Sequence, residues 1–244
     1  MLDSRLLRPF VLCALVLLAG HLLGLVAREA YDVNPRIGIV RQFDLNAEGN
    51  LAAWFSSFLL LLSAGLCLLV ARIRALRDEP LAGRWAAFAA FFLLMAIDET
   101  SQLHDLATRP VRNALGLDFG ILYFAWLLPA LLVVAAAAYW FRPLVAAMSD
   151  AVRPRLVIAA IVYLTGAVGF EMLGGEVVAD GHYTLRYLLT MTCEESLEIA
   201  GGLLFLAALL AQVRELRPEL VVRWTGPLPE VVELHERQPR TSER

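Results

Sequence analysis

The sequence contains no lysine. Its 21 basic residues are all arginine, and 24 acids leave a formal net charge of only −3. Neither sign dominates and no basic cluster is interleaved with aromatics, so the electrostatic footprint of a nucleic-acid-binding protein is missing. Cysteine is nearly as scarce. Cys13, Cys67 and Cys193 sit in three separate apolar stretches, with no C-x-x-C pair and no zinc-finger spacing. They read as buried thiols behaving as small apolar residues. Charge as a whole is thin, at 18 % of residues, against roughly a quarter in an ordinary soluble domain. Hydrophobic residues make up 59 %, with a positive mean hydropathy. A membrane protein is the first reading.

What the chain has instead is long apolar runs. A helix needs about 20 apolar residues to cross the hydrocarbon of a bilayer. Six windows qualify: Pro9–Ala27, Leu51–Ala71, Trp85–Leu106, Phe119–Phe141, Leu156–Val178 and Leu188–Val213. The first is too long for the apolar core of a secretory signal and lacks a small-residue cleavage site, so it reads as a span. Pro129, half-way along the fourth, is expected to bend it, which membrane helices tolerate. The expected fold is all-α: a polytopic bundle of six transmembrane helices within residues 1–213, with a polar, proline-rich tail over 214–244 as a loosely held extension.

Arginine sets the expected orientation, because positive charge stays in the cytoplasm. Fifteen of the 21 arginines fall in the N-terminus, the second and fourth loops and the tail, among them Arg5, Arg8, Arg84 and Arg153. The other loops hold Arg28, Arg36, Arg41, Arg109, Arg112 and Arg186. Both termini are therefore expected in the cytoplasm. Cys193 then lies near the outer face, too far from Cys13 and Cys67 for the roughly 6 Å Cα separation of a disulfide.

Against this background the acids stand out. "MAIDETSQLHD" (Met95–Asp105) closes the third apolar run, and "TCEESLEIAGG" (Thr192–Gly202) opens into the sixth. Charged groups at membrane depth cost a few kcal/mol each and are usually absent unless something needs them. With both termini inside, Asp98, Glu99, His104, Asp105 and Glu171 fall near the outer ends of the third and fifth helices. Glu194, Glu195 and Glu198 enter the sixth at the same level, and His21 and Glu48 reach it from the first and second. Glu194 and Glu198, at i and i+4, share a helical face.

Each residue also has a plainer role. Glu194, Glu195 and Glu198 suit the first turns of a helix, where the dipole favours negative charge. Arg109, Arg112 and Arg186 can answer the other acids in salt bridges. His21 suits a hydrogen-bonded packing role, and His182 can sit in water. The functional reading is a bound cation or a shared proton, since crowded carboxylates in low dielectric repel one another strongly. Carboxylates with an imidazole suit a divalent metal. Asp98, His104, Glu171, Glu194 and Glu198 are the expected ligands, with Glu99 or Glu195 as general base and Glu48, Asp105 and His21 as further polar groups. No metal can be named, as neither the E-x-x-H spacing of di-iron bundles nor H-E-x-x-H occurs.

"FDLNAEGNLAAWFSS", "MAIDETSQLHD" and "EESLEIAGG" together resemble a group of uncharacterised bacterial multi-pass membrane proteins. That group carries an acidic segment before a Trp-Phe-Ser-Ser helix start, a D-E-x4-H-E helix end and an E-E-x-x-E helix start. Glu48, Trp54, Asp98, Glu99, His104, Glu194, Glu195 and Glu198 match; Asp105 stands in place of glutamate, and Asn46 where an acid is common. The resemblance implies a bacterial inner-membrane location and a shared site, with no activity attached.

The leading functional expectation is a metal-dependent intramembrane hydrolase or transferase acting on a lipid-like substrate. The alternatives are a proton- or cation-coupled transporter and a non-catalytic subunit whose acids bridge to arginines. No nucleophile motif, phosphate loop or cofactor fingerprint favours one of them.

Overall fold

The computed structural model describes residues 4–31, 33–34, 38–47, 49–117, 120–179, 184–216, 220–224 and 229–233. Nine α-helices run through them: α1 (Ser4–Tyr31), α2 (Gly38–Phe43), α3 (Leu51–Leu76), α4 (Ala82–Ser101), α5 (Asp105–Leu115), α6 (Leu127–Ala146), α7 (Arg153–Leu164), α8 (Glu171–Ala179) and α9 (Leu185–Glu215). A π-helical turn, Thr165–Phe170, joins α7 to α8. Five spans are long and apolar enough to cross a membrane, or six if the bent pair α4–α5 counts as one. In the tail Leu220–Trp224 and Pro229–Glu233 pair as an antiparallel ribbon, the only strands among the described residues.

The helix starts follow from local chemistry. Asn50 caps α3 by accepting from the Ala53 amide at 2.9 Å, a typical N-cap interaction. Its own amide nitrogen donates to the Arg41 and Asp44 carbonyls, tying the preceding segment to the same helix end. Thr184 caps α9 in the same way.

α3, α4, α7 and α9 pack as the centre of the bundle, crossed by a run of tilted and edge-on aromatic contacts. Phe88 lies 4.8 Å from Phe92 and 4.7 Å from Phe141, and Phe92 lies 5.0 Å from Phe205. These pairs link α4, α6 and α9 in the half of the bundle that carries the α3–α4 connection. α1 and α6 are peripheral. Leu12, Leu23 and Leu132 are each more than 60 % exposed, a surface that suits lipid rather than water.

Four expectations need correcting. The third apolar helix ends at Ser101, and the chain turns by 85° into α5 instead of continuing to Leu106. The fourth begins at Leu127, eight residues beyond Phe119. Pro129 therefore sits in its first turn, where proline lacks no hydrogen bond, and does not kink the middle. α9 begins at Leu185, so Glu194 stands more than two turns inside it and caps nothing. Finally, Cys67 alone is buried, while Cys13 and Cys193 are free thiols on the exposed surface.

Two glycines set how closely the helices meet. A Cβ on Gly166, in the π turn, would lie 2.7 Å from the Glu194 carbonyl oxygen. A Cβ on Gly201, in α9, would lie 2.6 Å from the Tyr163 Cβ and 2.8 Å from its backbone. Each helix thus presents a bare backbone to the other, the usual route to close contact in a membrane. That contact seats Tyr163 beside the acidic stretch of α9.

Candidate functional site

The site starts at the end of α4. Ser57 in α3 donates to the Ala96 carbonyl at 2.6 Å, fixing this end against its neighbour. Gln102 then adopts a left-handed conformation (φ +51°) and donates its amide to the Asp98 carbonyl. The turn brings His104 back over Asp98. One Asp98 oxygen accepts from the His104 backbone N–H and the other from Nδ1, both at 2.8 Å. A carboxylate only accepts, so Nδ1 carries the proton. When the ring is neutral, Nε2 keeps its lone pair available.

The imidazole packs at a tilt against Trp126, with ring centroids 4.4 Å apart. Trp126 stands at the start of α6, and its indole N–H donates to Glu171 Oε1 at 3.2 Å. The Glu171 side chain lies within hydrogen-bonding reach of Glu194 of α9. Glu194 is 5 % exposed, and its Oε2 is buried without a partner among the described residues. Below it the Glu198 carboxyl is within hydrogen-bonding reach of the buried Tyr163 hydroxyl.

Most residues expected at the site do come together. Glu198 lies within electrostatic range of Asp98, Glu99 and Glu171, and Glu194 within range of Glu195 and Glu198. Asp105 and Glu171 both act on His104. His21 does not join them. Its Nδ1 accepts the Leu45 amide at 3.1 Å, so Nε2–H donates to Thr192 Oγ1 at 2.9 Å, and Thr192 donates on to the Leu188 carbonyl. Asp44 approaches the same ring at 3.5 Å. Thr192 and Glu194 point about 200° apart around α9, so His21 braces the helix from the side away from the carboxyls. Glu48 and His182 lie outside the described residues.

Among the described residues no three of histidine, cysteine, aspartate and glutamate are grouped to hold a metal ion. Asp98, His104, Glu171, Glu194 and Glu198 share one region; both Asp98 oxygens accept from His104 and Glu171 accepts from Trp126, while Glu194 Oε2 has no partner among the described residues. Among the described residues no arginine pairs with Glu171, Glu194 or Glu198. Arg112 instead donates to the Tyr123 carbonyl and lies over its ring, 4.6 Å from the centroid.

Sequence reasoning missed Trp126 and Tyr163, since an aromatic in an apolar run carries no mark of a polar contact. Gly166, eight residues before Gly174 on the same segment, was the one available sign of a close approach.

The signature of a family described as a domain of unknown function (DUF8692) matches residues 9–213. The chain belongs to the DUF8692 family. The match runs from α1 to the end of α9 and takes in every residue of the carboxyl cluster. No curated protein and no solved structure matches this DUF8692 chain.

Proposed function

We propose that this protein is an intramembrane acid–base enzyme acting on a lipid-like substrate. The observation that carries the reading is the Glu171–Glu194 contact beside an oriented Asp98–His104 pair. A hydrogen bond between two carboxyl groups needs a proton on one of them, so this pair holds a proton that can be donated. His104, with Nδ1 fixed by Asp98, offers Nε2 as an acceptor. An acid and a base held apart by their surroundings are what general acid–base chemistry requires. Asp98 orients the base, and Trp126 spaces it from the acid.

The remaining carboxyls shape the field. Glu99, Glu195 and Glu198 line the surroundings of the pair, and Tyr163 steadies Glu198. The other half of the bundle is filled with phenylalanine and leucine, so a substrate would come from the face nearer the cluster. By the arginine distribution that face is the outer one, with both termini in the cytoplasm of a bacterial inner membrane. A substrate embedded in that leaflet reaches the cluster without crossing the bilayer.

Lipid profiling tests this. Cells expressing the wild type should differ in at least one membrane-lipid species from cells expressing equal amounts of Glu194→Gln, and His104→Ala should match the latter. Identical profiles in all three would overturn the enzyme reading. A second reading, a proton- or cation-coupled subunit, is favoured by the carboxyl pair alone. It foresees unchanged lipids together with a Glu194-dependent ion flux in proteoliposomes.

A further inference from the structure

We infer that α5 lies along the membrane interface, with its apolar face seated at the boundary between lipid headgroups and acyl chains. The inference does not rest on the chemistry of the carboxyl cluster, only on the embedding of the helices around it.

Length gives the depth. α4 has 20 residues, which at about 1.5 Å each come to about 30 Å, the thickness of the hydrocarbon. By Ser101 the chain has therefore reached the boundary. α5 leaves α4 at 85°, so its 11 residues run along that boundary and do not pass through it. Asp98 locks the corner by holding both the backbone and the ring of His104.

Sequence gives the facing. Leu106, Pro110 and Ala114 at four-residue steps, with Ala107, Val111 and Leu115 beside them, make one apolar side. Asp105, Thr108, Arg109, Arg112 and Asn113 occupy the other. No residue of α5 is buried by protein, and Leu106 and Leu115 are 72 % and 60 % exposed. A short helix with cleanly divided faces, low overall hydrophobicity and arginine on its polar side suits the plane of a lipid interface. Arg109 and Arg112 then stand at the level of the lipid phosphates, with Arg112 also held by Tyr123.

Spin labelling tests the placement. The background is Cys13→Ser, Cys67→Ala, Cys193→Ser, to which Leu106→Cys, Leu115→Cys, Arg109→Cys or Asn113→Cys is added one at a time. Each labelled protein is reconstituted in phosphatidylcholine–phosphatidylglycerol vesicles and saturated against oxygen and a water-soluble nickel chelate. Labels at positions 106 and 115 should show a several-fold higher oxygen-to-nickel accessibility ratio than those at 109 and 113. Nickel-favoured values at all four would place α5 in water, and oxygen-favoured values at all four would make it a span. Either result overturns the inference, as does label–label broadening at position 106 that disappears on dilution with unlabelled protein, which would mean a second copy covers the face. If Leu106→Cys does not purify as a monodisperse species, the contrast between positions 115 and 113 decides alone.

Discussion

Asp98 holds His104 twice, through the backbone amide and through ring Nδ1, at 2.8 Å each. One carboxylate thereby closes a helix end and selects the tautomer of the imidazole it faces. Asp98→Asn keeps a single acceptor and sets an amide against the second donor. The corner of α4 should loosen, at a cost of about 1–2 kcal/mol, the range for a partly exposed hydrogen bond to a charged group. Thermal unfolding in detergent measures it; an unchanged midpoint would show that the double contact is not formed.

The glycine contacts make a sharper contrast. Gly166→Ala and Gly201→Ala each drive a methyl into backbone of the facing helix, where nothing short of a helix shift relieves it. Each should cost about 1–3 kcal/mol, the usual range for overpacking. Gly65→Ala, in the middle of α3, meets nothing within 4 Å. It should be neutral or stabilising by about 0.5–1 kcal/mol, since glycine is the poorer helix former. Equal effects at the three positions would contradict the packing of α9 against the π turn.

Metal content separates the site described here from the one its residue types suggest. Purified protein should carry no stoichiometric divalent metal, and chelator should leave the lipid difference between wild type and Glu194→Gln intact. Metal bound at one equivalent and lost in Glu194→Ala would restore a metal-dependent mechanism.

The arginine distribution predicts an orientation. A reporter fused after Arg84 or Arg153 should read cytoplasmic, and one placed at Arg112 should read outside. The reverse pattern would put the carboxyl cluster on the inner face and exclude an outer-leaflet substrate.

Much of the fold was legible because membrane helices announce themselves by length and hydropathy. What failed was the endings. Residues 119–126 are as apolar as a helix, and hydropathy cannot distinguish an apolar turn from an apolar span; Pro129 was the available sign that a helix starts there, not bends. The corner after Ser101 contains neither glycine nor proline, and it is made by a side-chain contact between Asp98 and His104. At the site, the cost of burying charge singled out Asp98, His104, Glu171, Glu194 and Glu198, which the structure places in one region. Their partners could not be read, because pairing depends on how α6, the π turn and α9 meet. Arg112, one of three arginines that could answer a carboxylate, is held by Tyr123.

The central claim is that Glu171 and Glu194 hold a proton between them, and infrared spectroscopy reads this directly. The reconstituted wild type should show a protonated-carboxyl C=O band that shifts in heavy water. Glu194→Gln and Glu171→Gln should each remove it while the amide bands, and so the fold, stay as they are. A wild type without that band, or a band that survives both substitutions, would contradict the account.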